Sequence, residues 1–122
     1  NVNLLGHIKL DEIYNVLKRT DLYVQTSLSE SFGLGILDAM SFGIPIIAYD
    51  VGAINELVNK ESGILIPFSN DKAKRISEFA SQIKRLFEND RLRKSLSNEA
   101  IIQSKNYSIE KMIEKYTMLV EK

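Results

Sequence analysis

Two carboxylates flank a glycine turn in the first third of the chain. Glu30 precedes the turn and Asp38 follows it, with seven residues between them that include Gly33 and Gly35. Because glycine has no Cβ, the backbone there can adopt conformations closed to other residues, and a ligand can approach it closely. A helix beginning near Gly33 or Leu34 would present unpaired amides and the positive end of its dipole. These residues predict a site for an anion such as phosphate.

Carboxylates beside a phosphate site suit the hydroxyl groups of a nucleotide sugar. In a helix, Asp38 would lie about 6 Å beyond the start at ~1.5 Å per residue, with its side chain leaning back toward the N-terminus. It could there accept hydrogen bonds from a vicinal diol. We therefore expect the amides to bind a diphosphate and the carboxylates to bind sugar and ribose hydroxyls. On this pattern alone, an α/β protein that binds no nucleotide is an equally good interpretation.

The elements around this turn predict how it is held. The apolar run 22–24 is typical of a buried strand, and the run 46–48 predicts a second one, continuously apolar as in parallel sheets. The helix between them carries an apolar stripe of Ile36, Leu37, Met40 and Phe42. Gly43 suits its C-cap and Pro45 the entry to the next strand. The loop 50–53 then follows a strand, at the edge where open α/β sheets bind ligands.

Strands and helices alternate along the rest of the chain, which predicts an α/β fold with a parallel sheet. Short strands are expected over 2–5 and 63–67, and shorter helices over 11–17 and 54–58. Long helices should follow, capped by Asp90 and Ser108. The first long helix should face the core with Ile76, Phe79, Ala80, Ile83, Leu86 and Phe87, and the last has an apolar face of Ile109, Met112, Ile113, Tyr116, Leu119 and Val120.

The composition is that of a single soluble globular domain. The 122 residues are 44% hydrophobic and 26% charged, and sixteen basic residues balance sixteen acidic ones. This charge balance favours neither nucleic acid nor a membrane surface as a partner. The absence of cysteine excludes disulfides and thiolate metal sites. A cytoplasmic protein is expected by default, and the start at Asn1, without Met, predicts that the chain is part of a longer protein.

The run from Ser27 to Glu56 resembles the donor-binding signature of the retaining GT-B glycosyltransferases of family four, known as "glycosyl transferases group 1". That family shows Glu, Phe, Gly, a second acid after seven residues, Ala-Met-x-x-Gly-x-Pro, a strand, and Asp-x-Gly-Gly-x-x-Glu. The matching residues here are Glu30, Phe32, Gly33, Asp38, Ala39, Met40, Gly43, Pro45, Asp50, Gly52 and Glu56. Two positions depart from the pattern: Asp38 stands where glutamate is usual, and Ala53 where glycine is usual.

The resemblance covers nearly the whole chain and implies a fold. Residues 1–122 would be a truncated nucleotide-sugar-binding C-terminal domain, with a Rossmann-like parallel sheet flanked by helices. The family's sheet order is 3-2-1-4-5-6, of which this chain would supply strands three to six. The N-terminal acceptor domain is absent from this sequence. In the family the last helix crosses to that domain.

The resemblance also implies an activity and roles for residues. The protein would be a hexosyltransferase-type enzyme that moves a sugar from a nucleoside diphosphate sugar to an acceptor with retention of configuration. Phe32, Gly33 and Leu34 would hold the diphosphate, and Asp38 the ribose. Glu30 would be the catalytic residue at the sugar hydroxyls. The donor site is expected to include Ser27 and Gly52. No metal or cofactor is expected, and the isolated chain should be inactive.

Two further residues are candidates for supporting roles. His7, the single histidine, is better interpreted as a loop residue of the cleft wall than as a catalytic group. Glu56 could contact the donor's diphosphate region, but an acid that braces the two loops is the favoured interpretation.

The resemblance implies partners and leaves alternatives. A carbohydrate or lipid-linked acceptor would bind through the absent domain, in polysaccharide or lipopolysaccharide synthesis, with the parent protein in the cytoplasm or peripherally at the inner face of the membrane. One alternative is a noncatalytic module that binds a nucleotide sugar or a partner protein. Another is a sugar-nucleotide epimerase of the same fold, although this stretch shows no acid/base residues for that reaction.

Overall fold

The computed structural model describes residues 1–121. Its elements, in chain order, are α1 (Leu10–Leu17), β1 (Tyr23–Gln25), α2 (Leu34–Ser41), β2 (Ile46–Tyr49), α3 (Ile54–Leu57), β3 (Gly63–Ile66), α4 (Lys72–Glu88), α5 (Asp90–Ser104) and α6 (Ile109–Val120). A short 3-10 turn, Lys105–Tyr107, joins α5 to α6. Every strand is followed by a helix, as the sequence predicted.

The three strands form one parallel sheet in the order β1-β2-β3. Tyr23 is in register with Ile46, and Ile46 with Gly63. The carboxyl ends of β1 and β2 therefore reach the same edge, and the loops that follow them begin side by side. The parallel α/β class predicted from the sequence is confirmed.

The middle strand, β2, is buried along its whole length because helices cover both faces of the sheet. Ile46 and Ala48 contribute to one apolar cluster, and Ile47 and Tyr49 to the other, as the alternation of side chains in a strand requires. The first cluster also includes Leu17, Ile36, Ala39, Met40, Ile44, Ile54, Leu57, Val58 and Ala100. The second includes Ile66, Phe79, Leu86 and Leu96.

Glycines mark both ends of α2. Gly33 is the N-cap residue in the left-handed region, with φ +92°, and Gly43 follows the helix with φ +70°. At the C-terminal end, the Gly43 and Ile44 amides donate to the carbonyls of Met40 and Ala39, at 2.9 and 3.0 Å. This is the Schellman arrangement, which favours glycine at the left-handed position. Both boundaries of the helix were predicted from these two glycines.

Four predictions about elements were wrong. The run 22–24 was expected to be a buried strand, but β1 is only half-buried and its Val24 is 39% exposed, because α4 on that face packs on β2 and β3. Residues 2–5 form no strand; Leu4 is 94% exposed, and the segment pairs with none of the three strands. An apolar run without a neighbouring strand has no partner for its backbone groups. On α4, Phe79 and Leu86 are buried, whereas the other four residues of the predicted face are exposed: Ile76, Ala80, Ile83 and Phe87. The cap of α5 is Asn89 and not Asp90, because the Asn89 side chain accepts from the Leu92 amide at 2.9 Å.

The last helix, α6, is exposed over its whole length. Ser108 caps it by accepting from the Lys111 amide at 3.3 Å, as predicted. Its apolar face is open among the described residues. Across residues 1–121, no helix combines the length and the apolar character needed to cross a membrane.

Candidate functional site

The loops after β1 and β2 meet through their backbones. The Ala53 amide donates to the Glu30 carbonyl at 3.3 Å. Gly52, beside it, has φ +55°, and a Cβ at this position would fall far inside contact distance of the same carbonyl oxygen. Only a residue without a side chain fits here, so Gly52 allows the two loops to approach each other.

The Glu30 carboxylate binds the backbone of its own turn. Its Oε1 accepts from the amides of Ser31, Phe32 and Gly33, at 3.1, 3.4 and 3.1 Å. Its Oε2 accepts from Nε2 of Gln25 at 3.0 Å. A carboxylate that receives several N–H donors is fixed in direction, so Glu30 is held at the mouth of the turn. Two of the three residues expected to hold a diphosphate through their backbone, Phe32 and Gly33, have amides bonded to Glu30 instead.

The first turn of α2 still offers free donors. No side chain caps this helix, and the Leu34 and Gly35 amides have no acceptor among residues 1–121. Gly33 is buried, whereas Leu34 is 69% exposed. Unpaired amides at the positive end of a helix dipole favour an anion. The anion position indicated by the structure is thus one residue further along the chain than the sequence suggested.

Asp38 lies on α2 and is half-buried. Its carboxylate makes no hydrogen bond or salt bridge within the described part of the chain, so its oxygens are available for a ligand. Tyr23 lies near both acids. Burial of its phenol raises the pKa of Tyr23, and the negative charges of Glu30 and Asp38 raise it further. The Tyr23 hydroxyl therefore stays protonated, and a donor, across the neutral range.

The other predicted donor-site residues lie on the open surface of the turn. Ser27 is exposed and lies two residues beyond the end of β1. Phe32 is 42% exposed, and its ring packs against the edge of Tyr107, with centroids 6.2 Å apart at 72°. The turn is consequently accessible from solvent and supported from behind by the segment between α5 and α6.

His7 and Glu56, the two residues predicted to have supporting roles, are both exposed. His7 is exposed in the segment before α1 and forms no hydrogen bond within residues 1–121. The Glu56 side chain is also exposed, and no hydrogen bond of its carboxylate joins the loops among these residues. A backbone bond joins the two loops instead, from the Ala53 amide to the Glu30 carbonyl. The Glu56 carbonyl accepts from the side-chain hydroxyl of Tyr107.

Residues 1–121 contain no group of three or more His, Asp or Glu side chains placed to share a metal ion.

Three residues of the site were missed by the sequence analysis. Gln25 and Tyr23 contact or approach Glu30, and Tyr107 contacts the turn from a distant part of the chain. A signal for Gln25 existed: it is a polar residue at the carboxyl end of an otherwise apolar strand. Tyr107 has no comparable local signal, because its contacts lie 51 residues or more away in sequence.

Tyr107 offers a test of how the turn is supported. Tyr107→Phe keeps the ring against Phe32 and removes only the hydrogen bond to the Glu56 carbonyl, so it should destabilise the protein by about 1 kcal/mol. Tyr107→Ala also removes the ring and should cost about 2–3 kcal/mol. Chemical denaturation measures both, and Tyr116→Ala, on exposed α6, serves as the control. Equal losses for the two Tyr107 variants would contradict a role for the Phe32 contact.

Comparison with known proteins agrees with this geometry. The family model described as "Glycosyl transferases group 1" matches residues 1–103. The GtfA subunit of the UDP-N-acetylglucosamine–peptide N-acetylglucosaminyltransferase of Streptococcus parasanguinis is 33% identical over 98% of this chain and 24% of its own length. The lipopolysaccharide core biosynthesis mannosyltransferase LpsB of Rhizobium meliloti is 35% identical, over 85% of this chain and 28% of its own.

A solved structure is similar to this chain in fold as well as in sequence. The pneumococcal O-GlcNAc transferase GtfA, in complex with UDP and GlcNAc, superposes with a TM-score of 0.80 at 28% identity, over 98% of this chain and 24% of that one. The chain thus spans about a quarter of the length of the relatives it matches. With the family model matched over most of the sequence and the fold shared, the chain belongs to the glycosyl transferases group 1 family, of GT-B fold.

Proposed function

We propose that the protein containing this chain transfers a sugar from a UDP-sugar to an acceptor with retention of configuration, and that this chain is its donor-binding part. The observation that carries the proposal is the free N-terminal turn of α2 between the carboxylates of Glu30 and Asp38. Uridine is favoured as the base because the GtfA relatives are named for UDP-N-acetylglucosamine, and one of them was solved with UDP and GlcNAc.

In this proposal the donor's diphosphate lies against the Leu34 and Gly35 amides. Those amides and the dipole of α2 are oriented before the donor binds, so they stabilise the negative charge that develops on the leaving diphosphate without reorganising. The unpaired Asp38 carboxylate accepts hydrogen bonds from the ribose hydroxyls. Glu30 accepts from hydroxyls of the transferred sugar through Oε2, which has one protein donor and capacity for another.

The remaining parts of the proposal concern the whole protein. It requires no metal or other cofactor, since amides and carboxylates cover the chemistry assigned to the donor. A carbohydrate or lipid-linked acceptor binds to the N-terminal domain, and a lipid-linked acceptor brings the protein to the inner face of the membrane from the cytoplasm. The relative LpsB, named for lipopolysaccharide core biosynthesis, supports a role in polysaccharide synthesis.

Nucleotide binding by the full-length protein tests the donor assignment. UDP should bind more tightly than GDP or ADP in isothermal titration calorimetry. Asp38→Ala should weaken UDP binding about 10-fold or more, because a hydrogen bond to a charged group contributes roughly 1.5–3 kcal/mol. Asp21→Ala, an exposed aspartate just before β1, is the matched control and should bind UDP normally. Unchanged UDP binding by Asp38→Ala would contradict the ribose assignment.

A further inference from the structure

Behind Glu30 lies a short chain of hydrogen-bonded side chains on β1. Nε2 of Gln25 donates to Oε2 of Glu30 at 3.0 Å, and the Tyr23 hydroxyl donates to Oε1 of Gln25 at 3.3 Å. Tyr23 and Gln25 are two residues apart in the strand, so their side chains lie on the same face, whereas Val24 points to the other. Both polar side chains are half-buried.

The chemistry of the three groups fixes their order. An ionised carboxylate only accepts hydrogen bonds, so the Gln25 amide must turn its NH₂ toward Glu30 and its oxygen toward Tyr23. The Tyr23 hydroxyl donates to this oxygen. The opposite orientation of the amide would place its oxygen against the carboxylate. Glu30 therefore determines which way the Gln25 amide faces, Tyr23 supports that orientation by donating to its oxygen, and Gln25 holds one oxygen of Glu30.

The two oxygens of Glu30 have separate partners. Oε1 is bonded to three amides of the turn, and Oε2 receives Gln25 as its one donor among residues 1–121. If Gln25 were apolar, Oε1 would still anchor the turn, but nothing on β1 would hold Oε2. Gln25 thus acts on the direction of the carboxylate more than on the shape of the turn.

The same chain reaches the helix that carries Asp38. A Cβ on Gly35 would lie 2.7 Å from the Tyr23 hydroxyl, so the bare backbone of Gly35 makes room for the phenol beneath the first turn of α2. The negative charges of Glu30 and Asp38 both act on this phenol. The Tyr23 hydroxyl consequently lies against the first turn of α2, close enough to both carboxylates for their charges to act on it.

We propose that Gln25 and Tyr23 are positioning residues that direct Oε2 of Glu30 toward the hydroxyls of the transferred sugar. Gln25 binds Glu30 and Tyr23 binds Gln25, and neither side chain is assigned a contact with the donor. This inference rests on the proposed function, because it takes Glu30 as the group that binds the sugar. In this inference, the hydrogen-bonded side chains of Tyr23, Gln25 and Glu30 serve recognition of the sugar and not of the nucleotide.

The test compares two affinities in the full-length protein, one for UDP and one for the UDP-sugar that supports transfer. Gln25→Met keeps the length of the side chain and removes its donor. It should leave UDP affinity within about twofold and weaken UDP-sugar binding about 10-fold, the size expected for a hydrogen bond to a charged group. Tyr23→Phe should weaken UDP-sugar binding about threefold, because Gln25 remains in place and loses only the hydrogen bond from Tyr23 that supports its orientation.

Val24→Thr is the matched control, since it changes the neighbouring residue of the same strand on the opposite face and should alter neither affinity. A purely structural role for Gln25 would lower UDP and UDP-sugar binding together, and this result would overturn the inference, as would unchanged binding of both. If the wild-type protein bound no UDP, the proposed function itself would fail. If Gln25→Met did not fold, Tyr23→Phe would decide through the same ratio of affinities.

Discussion

Replacing Glu30 with alanine is expected to lower kcat/KM for the UDP-sugar by about 10²–10³-fold in the full-length protein, the loss typical of removing one oriented group from a transition-state site. The physical reason is twofold. The substitution removes the acceptor for the sugar hydroxyls, and it leaves the amides of Ser31, Phe32 and Gly33 without the oxygen that now binds them. Steady-state kinetics with the donor varied would measure the effect.

Glu30→Gln separates these two contributions. Its amide oxygen can still accept from the turn, so the turn keeps its shape, but the charge and one acceptor oxygen are lost. We expect a smaller decrease, about 10- to 100-fold, with UDP binding nearly unchanged. Glu61→Gln, at an exposed glutamate after α3, is the control and should be fully active. Wild-type activity in Glu30→Ala would contradict the catalytic assignment.

Gly52→Ala is the second substitution with a large expected effect, a loss of about 3 kcal/mol of stability together with loss of donor binding. Alanine in the left-handed region costs about 1–2 kcal/mol by itself. The added Cβ would also collide with the Glu30 carbonyl, which is backbone and cannot turn aside. The loops after β1 and β2 would have to separate, breaking the bond between Glu30 and Ala53.

Gly6→Ala provides the matched control for the conformational part. Gly6 also has a positive φ, +64°, but a Cβ there meets nothing within 4 Å. It should therefore cost only about 1 kcal/mol and leave UDP binding intact. Chemical denaturation and calorimetry with UDP would compare the two variants. Equal effects of Gly6→Ala and Gly52→Ala would contradict the importance of the contact between the loops.

Local signals in the sequence were enough to predict most of the fold around the site. Gly33 and Gly43 mark the two ends of α2. The backbone at both positions is left-handed, a conformation that glycine favours, so the glycines themselves indicate these ends in the sequence. The continuously apolar run at 46–48 became the fully buried β2. In each case the property that decides the structure belongs to one residue or to its immediate neighbours.

Predictions failed where the outcome depended on what lies alongside an element. Residues 2–5 have the composition of a strand but no strand beside them, and they remain exposed. The stripe on α4 has helical periodicity, which identifies a face but not whether anything covers it; Ile76 and Phe87 are exposed. Periodicity depends on the sequence of one element alone, whereas burial also depends on a second element that packs against it.

For the candidate site, the sequence predicted residues that take part but not the hydrogen bonds that they make. The sequence pointed to Glu30, Asp38 and the glycine turn, but the partners of Glu30 are backbone amides and a strand glutamine that no pattern connects to it. The bracing expected from the Glu56 side chain is performed by the backbone bond from the Ala53 amide to the Glu30 carbonyl, which residue types do not reveal. Such contacts become visible only when the chain is folded.

Hydrogen exchange of the full-length protein with and without UDP tests most directly whether the free first turn of α2 binds the donor's diphosphate. UDP should slow exchange in the peptide covering residues 31–38, above all at Leu34 and Gly35, whose amides have no acceptor in the described chain, and should leave α5 unaffected. UDP that binds to the protein without slowing exchange in this peptide would contradict the assignment of the diphosphate to this turn.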